Sequence, residues 1–136
     1  MNFLIPLLMV LSLDISQPKG LKDFRWEKRI LLFFDCSEDS CVDFKEYESK
    51  ISERKLLIVR FEGQNLVQNS EEIDLEKDSF LKVKNKEKGG SQWYLIGLDG
   101  GVKASGKQSE FDWDWIFRKI DSMPMRQSEI RIGVKN

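Results

Sequence analysis

The sequence contains no histidine. That absence removes a Ser-His-Asp triad, a Cys-His pair, histidine metal ligation and an imidazole pH switch. Neither sign of charge is in excess: 22 Lys and Arg stand against 23 Asp and Glu, a formal net charge of -1. Basic and acidic residues are interleaved, as in Glu27-Lys28-Arg29 and Glu53-Arg54-Lys55. With no net positive field and no basic stripe, nucleic acid is not an expected partner. No P-loop, no Gly-x-Gly-x-x-Gly and no Asn-x-Ser/Thr acceptor occurs, so neither nucleotide binding nor N-glycosylation has a motif to rest on. No apolar run reaches the roughly 20 residues that a membrane-spanning helix needs, so no stable membrane span is expected. No cofactor is implied.

What remains is a chain of 136 residues with 40% hydrophobic and 33% charged content, enough for one packed domain. The apolar run from Phe3 to Leu13 is broken by Pro6 and followed by Asp14. We read residues 1–16 as a signal peptide, with Val10-Leu11-Ser12 as the cleavage region and a buried N-terminal strand as the alternative. Residues 17–20 then form a linker and residues 21–136 the domain. A periplasmic or secreted location follows.

Within the domain, Phe24 and Trp26 are available to cover one end of a core. The unbroken run Ile30-Leu31-Leu32-Phe33-Phe34 predicts a strand buried on both faces. Phe44, Tyr47 and Ile51 recur at helical spacing, which predicts an amphipathic helix over Cys41–Glu53. Leu56 to Phe61 is a second buried strand, parallel to the first across a βαβ unit. Gly63 to Ser70 reads as a loop and Ile73 to Lys86 as a weakly specified helix. Trp93 to Ile96 is a third strand, joined through the turn Asp99-Gly100-Gly101 to a short edge strand Val102-Lys103-Ala104. A last helix is expected to be capped by Ser109 and to bury Trp113, Ile116, Phe117 and Ile120 before Met123-Pro124 stops it. Pro124 then starts a short final turn. This is an α/β fold of order β-α-β-α-β-β-α around a central mixed sheet, the arrangement of a thioredoxin-like core.

The segments Trp26-x-x-Arg29, Leu95-Ile96-Gly97-Leu98-Asp99-Gly100-Gly101-Val102-Lys103 and Ile120-Asp121-Ser122-Met123-Pro124-Met125-Arg126-Gln127-Ser128-Glu129 carry a resemblance. They resemble the family of domains of unknown function DUF4174, exported bacterial domains also found at the C-terminus of sushi-repeat-containing extracellular matrix proteins. The resemblance spans about Leu21 to Ile132 and implies a thioredoxin-like fold, an exported setting and no established enzyme activity. Two positions depart from the family pattern: Leu98 stands where a lysine is usual, and Asp35-Cys36 stands where Ala-Pro is usual.

Candidate sites follow from the residues. Cys36 and Cys41 lie between the first strand and first helix, where redox-active thioredoxins hold their dithiol. Their spacing is Cys-x4-Cys rather than Cys-x2-Cys, and Asp35, Glu38, Asp39 and Asp43 around them disfavour a thiolate. The segment before the third strand also lacks the proline that such enzymes place beside the dithiol. Three states stay open: a structural disulfide, a redox-active or peroxide-reactive pair, and two free thiols. Asp35, Ser37, Asp39, Cys41, Asp43 and Glu46 also match the ligand spacing of a calcium loop, but Ser40 replaces its glycine. We expect no metal. Phe111 and Trp115 flank the core face of the last helix, where packing against the edge of the core is the first reading and partner contact the second; Arg126 is a further candidate for partner contact and is also spaced to pair with Glu129. The leading functional expectation is a non-enzymatic binding module for a protein partner or small ligand. The alternative is a thiol-disulfide oxidoreductase or peroxide-reactive protein using Cys36 and Cys41.

Overall fold

The computed structural model describes residues 17–36, 43–87 and 89–135. The segment read as a signal peptide lies outside them, as do Cys41 and most of the loop before it. Strands β1 (Arg29–Phe34), β2 (Leu56–Glu62), β3 (Asn65–Asn69), β4 (Trp93–Ile96) and β5 (Val102–Gly106) form one sheet of order β3-β2-β1-β4-β5. β1 and β2 are parallel, in register Arg29 to Leu56, and every other neighbouring pair is antiparallel. The α/β class with a central mixed sheet is therefore the one observed.

β1 and β4 are buried at every position because both faces of the sheet are covered. Leu31, Phe33, Ile58, Trp93 and Leu95 point to one side, where they meet Ile51 of α1 (Glu48–Glu53) and Trp113, Ile116, Phe117 and Ile120 of α3 (Trp113–Asp121). Ile30, Leu32, Phe34, Val59 and Tyr94 point to the other, against Phe80 and Val83 of α2 (Lys77–Lys86) and Phe24 of a 3-10 turn at Leu21–Phe24. α4 (Pro124–Lys135) closes the chain.

Several boundaries differ from the sequence expectation. Residues 63–70 contain β3, which pairs with β2 through a turn in which Gly63 takes φ +58, a left-handed conformation that suits two-residue hairpin turns. β3 is an edge strand whose two apolar residues are adjacent, Leu66 half-buried against the core and Val67 exposed, so it carries no apolar alternation to reveal it. The first helix begins later than expected, as a 3-10 turn Phe44–Tyr47 capped by Asp43 and then α1. α3 is capped by Asp112, whose carboxylate accepts from the Asp114 N–H; Ser109 sits in a preceding 3-10 turn. Asp112 is nearer the first buried residue, and a carboxylate is as good an N-cap as a hydroxyl. α4 is a full helix rather than a turn. Residues 17–20 hold a place in the fold: Lys19 N–H donates to the Asp74 carbonyl and its own carbonyl accepts from Glu76 N–H.

β5 ends at Gly106, where any Cβ would stand 2.8 Å from the Trp93 ring. That ring is buried, and its indole N–H donates to the Lys107 carbonyl at 3.0 Å, so it has little freedom to retreat. Gly106→Ala is therefore expected to lower unfolding free energy by about 1–3 kcal/mol, measurable by urea titration.

Candidate functional site

Cys36 follows β1 and is 4% exposed, packed in the core cluster with Phe33, Trp93 and Trp113. Among the described residues there is no free cysteine. The preceding residue, Asp35, adopts φ +55 and accepts a 2.6 Å hydrogen bond from Gly63 N–H, with Lys84 at 3.4 Å. The Gly63 hydrogen bond is the main reason that its carboxyl is held below the usual range; burial opposes it and Lys84 adds to it. Asp35 is thus tied to the hairpin turn, and Asp43 caps the turn that follows. No group of three His, Cys, Asp or Glu poised for a metal occurs among the described residues.

Phe111 and Trp115 separate in character. Phe111 is half-buried, edge-on to Phe33 at 4.9 Å, Trp93 at 5.7 Å and Trp113 at 5.1 Å. Trp115 remains 43% exposed, its ring edge-on to Trp93. Both belong to the end of the sheet where β1 leads into Cys36.

Arg126 is turned inward, 5% exposed. Its guanidinium donates to Asp121 at 3.0 Å, to the Glu53 carbonyl and carboxylate at 3.1 Å each, and to Glu129 at 3.4 Å. Arg54 grips the same Asp121 bidentately at 3.0 and 2.9 Å. Arg29, 0% exposed, donates to the Arg54 carbonyl at 2.8 Å and to both Glu129 oxygens at 3.3 and 3.2 Å. Three arginines and three carboxylates thus bolt α4 and the end of α3 to the start of β1 and the end of α1. Burial raises the Asp121 pKa, but the hydrogen bonds from Arg54 and Arg126 outweigh it and hold the carboxyl below its usual range. With the folded value below the unfolded one, that stabilisation is present above the ordinary carboxylate range and is lost as pH falls through the folded value. Asp121→Asn is expected to flatten the acid limb of a stability–pH curve below about pH 4; denaturant midpoints at several pH values would show it, and an unchanged limb would contradict it.

Beside this network, at the opposite end of β1 from Cys36, lies a groove of about 530 Å³. Binding clefts for small molecules and peptide segments typically hold ~300–1,000 Å³. Leu98, Met123, Pro124 and Met125 form apolar walls, Trp26 stands at its side, and Arg29 lies beneath it. Trp26 was expected to cover the core; it is instead 60% exposed and held at φ +69, a left-handed conformation unfavourable for a bulky side chain. A 2.7 Å hydrogen bond from its N–H to the Leu98 carbonyl fixes it there. Lys103 and Lys119 supply cations; Lys103 pairs with Asp99 at 2.8 Å. That pairing, helped by the Gly101 N–H, holds the Asp99 carboxyl below its usual range.

The family model for the domain of unknown function DUF4174 matches residues 20–129. The chain belongs to that family. The matched stretch includes every residue lining the groove and every member of the arginine network. No curated protein and no solved structure matches the chain. No helix among the described residues is long and apolar enough to cross a membrane. In this DUF4174 domain, the three segments that carry the resemblance converge in space. Trp26 and Arg29, then Gly97, Leu98, Asp99 and Lys103, then Ser122 to Met125 line one groove, while Arg29, Asp121, Arg126 and Glu129 tie it together. Sequence reasoning named Arg126 but missed the groove, although the joint occurrence of the three segments was the signal for it.

Proposed function

We propose that this DUF4174 domain is a non-enzymatic, thioredoxin-like binding module of the cell envelope or extracellular space. The observation that carries this reading is the groove, a concave apolar surface built from three distant segments and locked by a buried ion network. A thioredoxin-like core is supported by the strand order: a parallel β1-β2 pair with a connecting helix, then antiparallel β4 and β5 on the far side of β1. Export is supported by the apolar segment that precedes the domain and by the bacterial exported setting that the resemblance implies.

In this reading Cys36 and Cys41 form a local disulfide that fastens the loop after β1. Its support is the deep burial of Cys36 and the lack of any free cysteine among the described residues, since a reactive thiol sits in an accessible, electropositive setting. The double variant Cys36→Ser/Cys41→Ser is expected to lose about 2–3 kcal/mol of stability, the chain-entropy value for so short a loop. Insulin reduction and peroxide consumption with glutathione as reductant are expected to stay at the uncatalysed rate for both proteins. Turnover by the natural chain that disappears in Cys36→Ser would overturn the reading in favour of an oxidoreductase.

A further inference from the structure

The groove has a charge character that its apolar walls alone do not require. Of the charged residues lining it, Arg29, Lys103 and Lys119 are cationic and Asp99 is the one carboxylate. Asp99 is matched by Lys103 and Arg29 by Glu129, whereas Lys119 has no ion pair among the described residues. Arg25 adds a second cation at the edge: its guanidinium lies over the Asp99-Gly100 turn, 3.2 Å from where a Gly100 Cβ would be, and likewise has no ion pair there. The N-terminal turn of α4, through Pro124 and Met125, forms another part of the wall. A helix start presents unbonded N–H groups and the positive end of the helix dipole. The Arg29 Nε is buried with no hydrogen-bond partner among the described residues. The cationic rim and the helix start favour an anion, while Trp26, Leu98, Met123 and Met125 favour apolar side chains. Trp, Met and Arg are the residues enriched where proteins bind other proteins.

We infer that the groove docks an acidic, apolar peptide segment of a partner protein, with aliphatic or aromatic side chains between its Met125 and Trp26 walls and carboxylates toward Lys119 and Arg25. This inference rests on the binding-module reading and specifies its ligand. The strained Trp26 has a role in it. Its left-handed backbone, fixed by the hydrogen bond to the Leu98 carbonyl, holds an exposed aromatic face at the groove edge.

The test uses the full chain, isotopically labelled, and three hexapeptide libraries. Alternate positions are aliphatic or aromatic in all three; the remaining positions are all Asp or Glu, all Ser, or all Lys. The acidic library should shift the Trp26 indole resonance and amides within 97–103 and 122–126, and should bind at least tenfold more tightly than the lysine library, with an affinity that falls as salt rises. Trp26→Gly should reduce acidic-library binding at least tenfold while leaving the unfolding midpoint unchanged or higher, because glycine relieves the left-handed strain. Lys119→Glu should reverse the preference between acidic and lysine libraries. Equal or tighter binding of the serine or lysine library at the same resonances would overturn the acidic ligand and leave the binding module standing. No shift in the groove with any library would overturn the inference; thiol turnover in the insulin assay would overturn the module as well.

Discussion

Replacing Arg29 by methionine is expected to lower the unfolding free energy by about 3 kcal/mol, the lower part of the range for breaking a buried ion pair. The side chain is fully buried and its guanidinium serves the Arg54 carbonyl and both Glu129 oxygens. Methionine fills most of the volume, so the loss isolates the hydrogen bonds rather than a cavity. Glu129 keeps Arg126 at 3.4 Å, which is why the cost stays below that of an isolated buried charge. The cycle with Glu129→Leu sharpens the point. The double variant is expected to recover about 1 kcal/mol or more relative to the sum of the single losses, because the partner left behind is then also removed. Strict additivity would mean that the pair observed across α4 and β1 contributes nothing.

The second large effect is at Trp113. Its ring stacks on Phe117 at 5.3 Å and 25°, lies 5.2 Å from Tyr47 and takes the edge of Phe111 at 5.1 Å. Trp113→Ala is expected to cost about 3–5 kcal/mol, the usual range for deleting a buried aromatic side chain. Trp113→Phe should cost far less, under about 1.5 kcal/mol. The indole N–H is buried with no hydrogen-bond partner among the described residues, so losing it leaves no donor there unsatisfied. Chemical denaturation of the two variants side by side checks both numbers. A Trp113→Phe loss as large as that of alanine would mean that the indole N–H makes a bond that the structure does not contain.

These residues also mark what was legible before the structure. Trp113, Ile116, Phe117 and Ile120 announce their face by helical spacing, and β1, β2 and β4 announce themselves as unbroken apolar runs. Those signals are local and arise from burial on both faces of a sheet. β3 lies at the sheet edge with polar residues facing water, so nothing local distinguishes it from a loop. The helix start at Asp112 rather than Ser109 was a choice between two competent caps, settled by where the first core residue falls. The groove was illegible for a different reason. Its walls come from residues 26, 29, 97–99, 103, 119 and 122–125, and only the antiparallel pairing of β1 with β4, together with the ion network under α4, brings them to one place. Trp26 was misread because an aromatic residue near a buried strand is usually core; its left-handed backbone turns it outward. Arg126 was correctly paired with Glu129 by spacing, yet its burial came from Asp121 and Glu53, which no spacing rule links to it.

On the proposal that the chain acts by binding, its two cysteines serve the fold. The most direct test is the redox state of Cys36 and Cys41 in the full chain, measured by thiol titration across a series of glutathione potentials. The pair is expected to stay oxidised at strongly reducing poise, below about −300 mV, as structural disulfides do. A pair that switches between about −270 and −120 mV, the span of dithiol oxidoreductases, would contradict it and move the working site from the groove to the loop after β1.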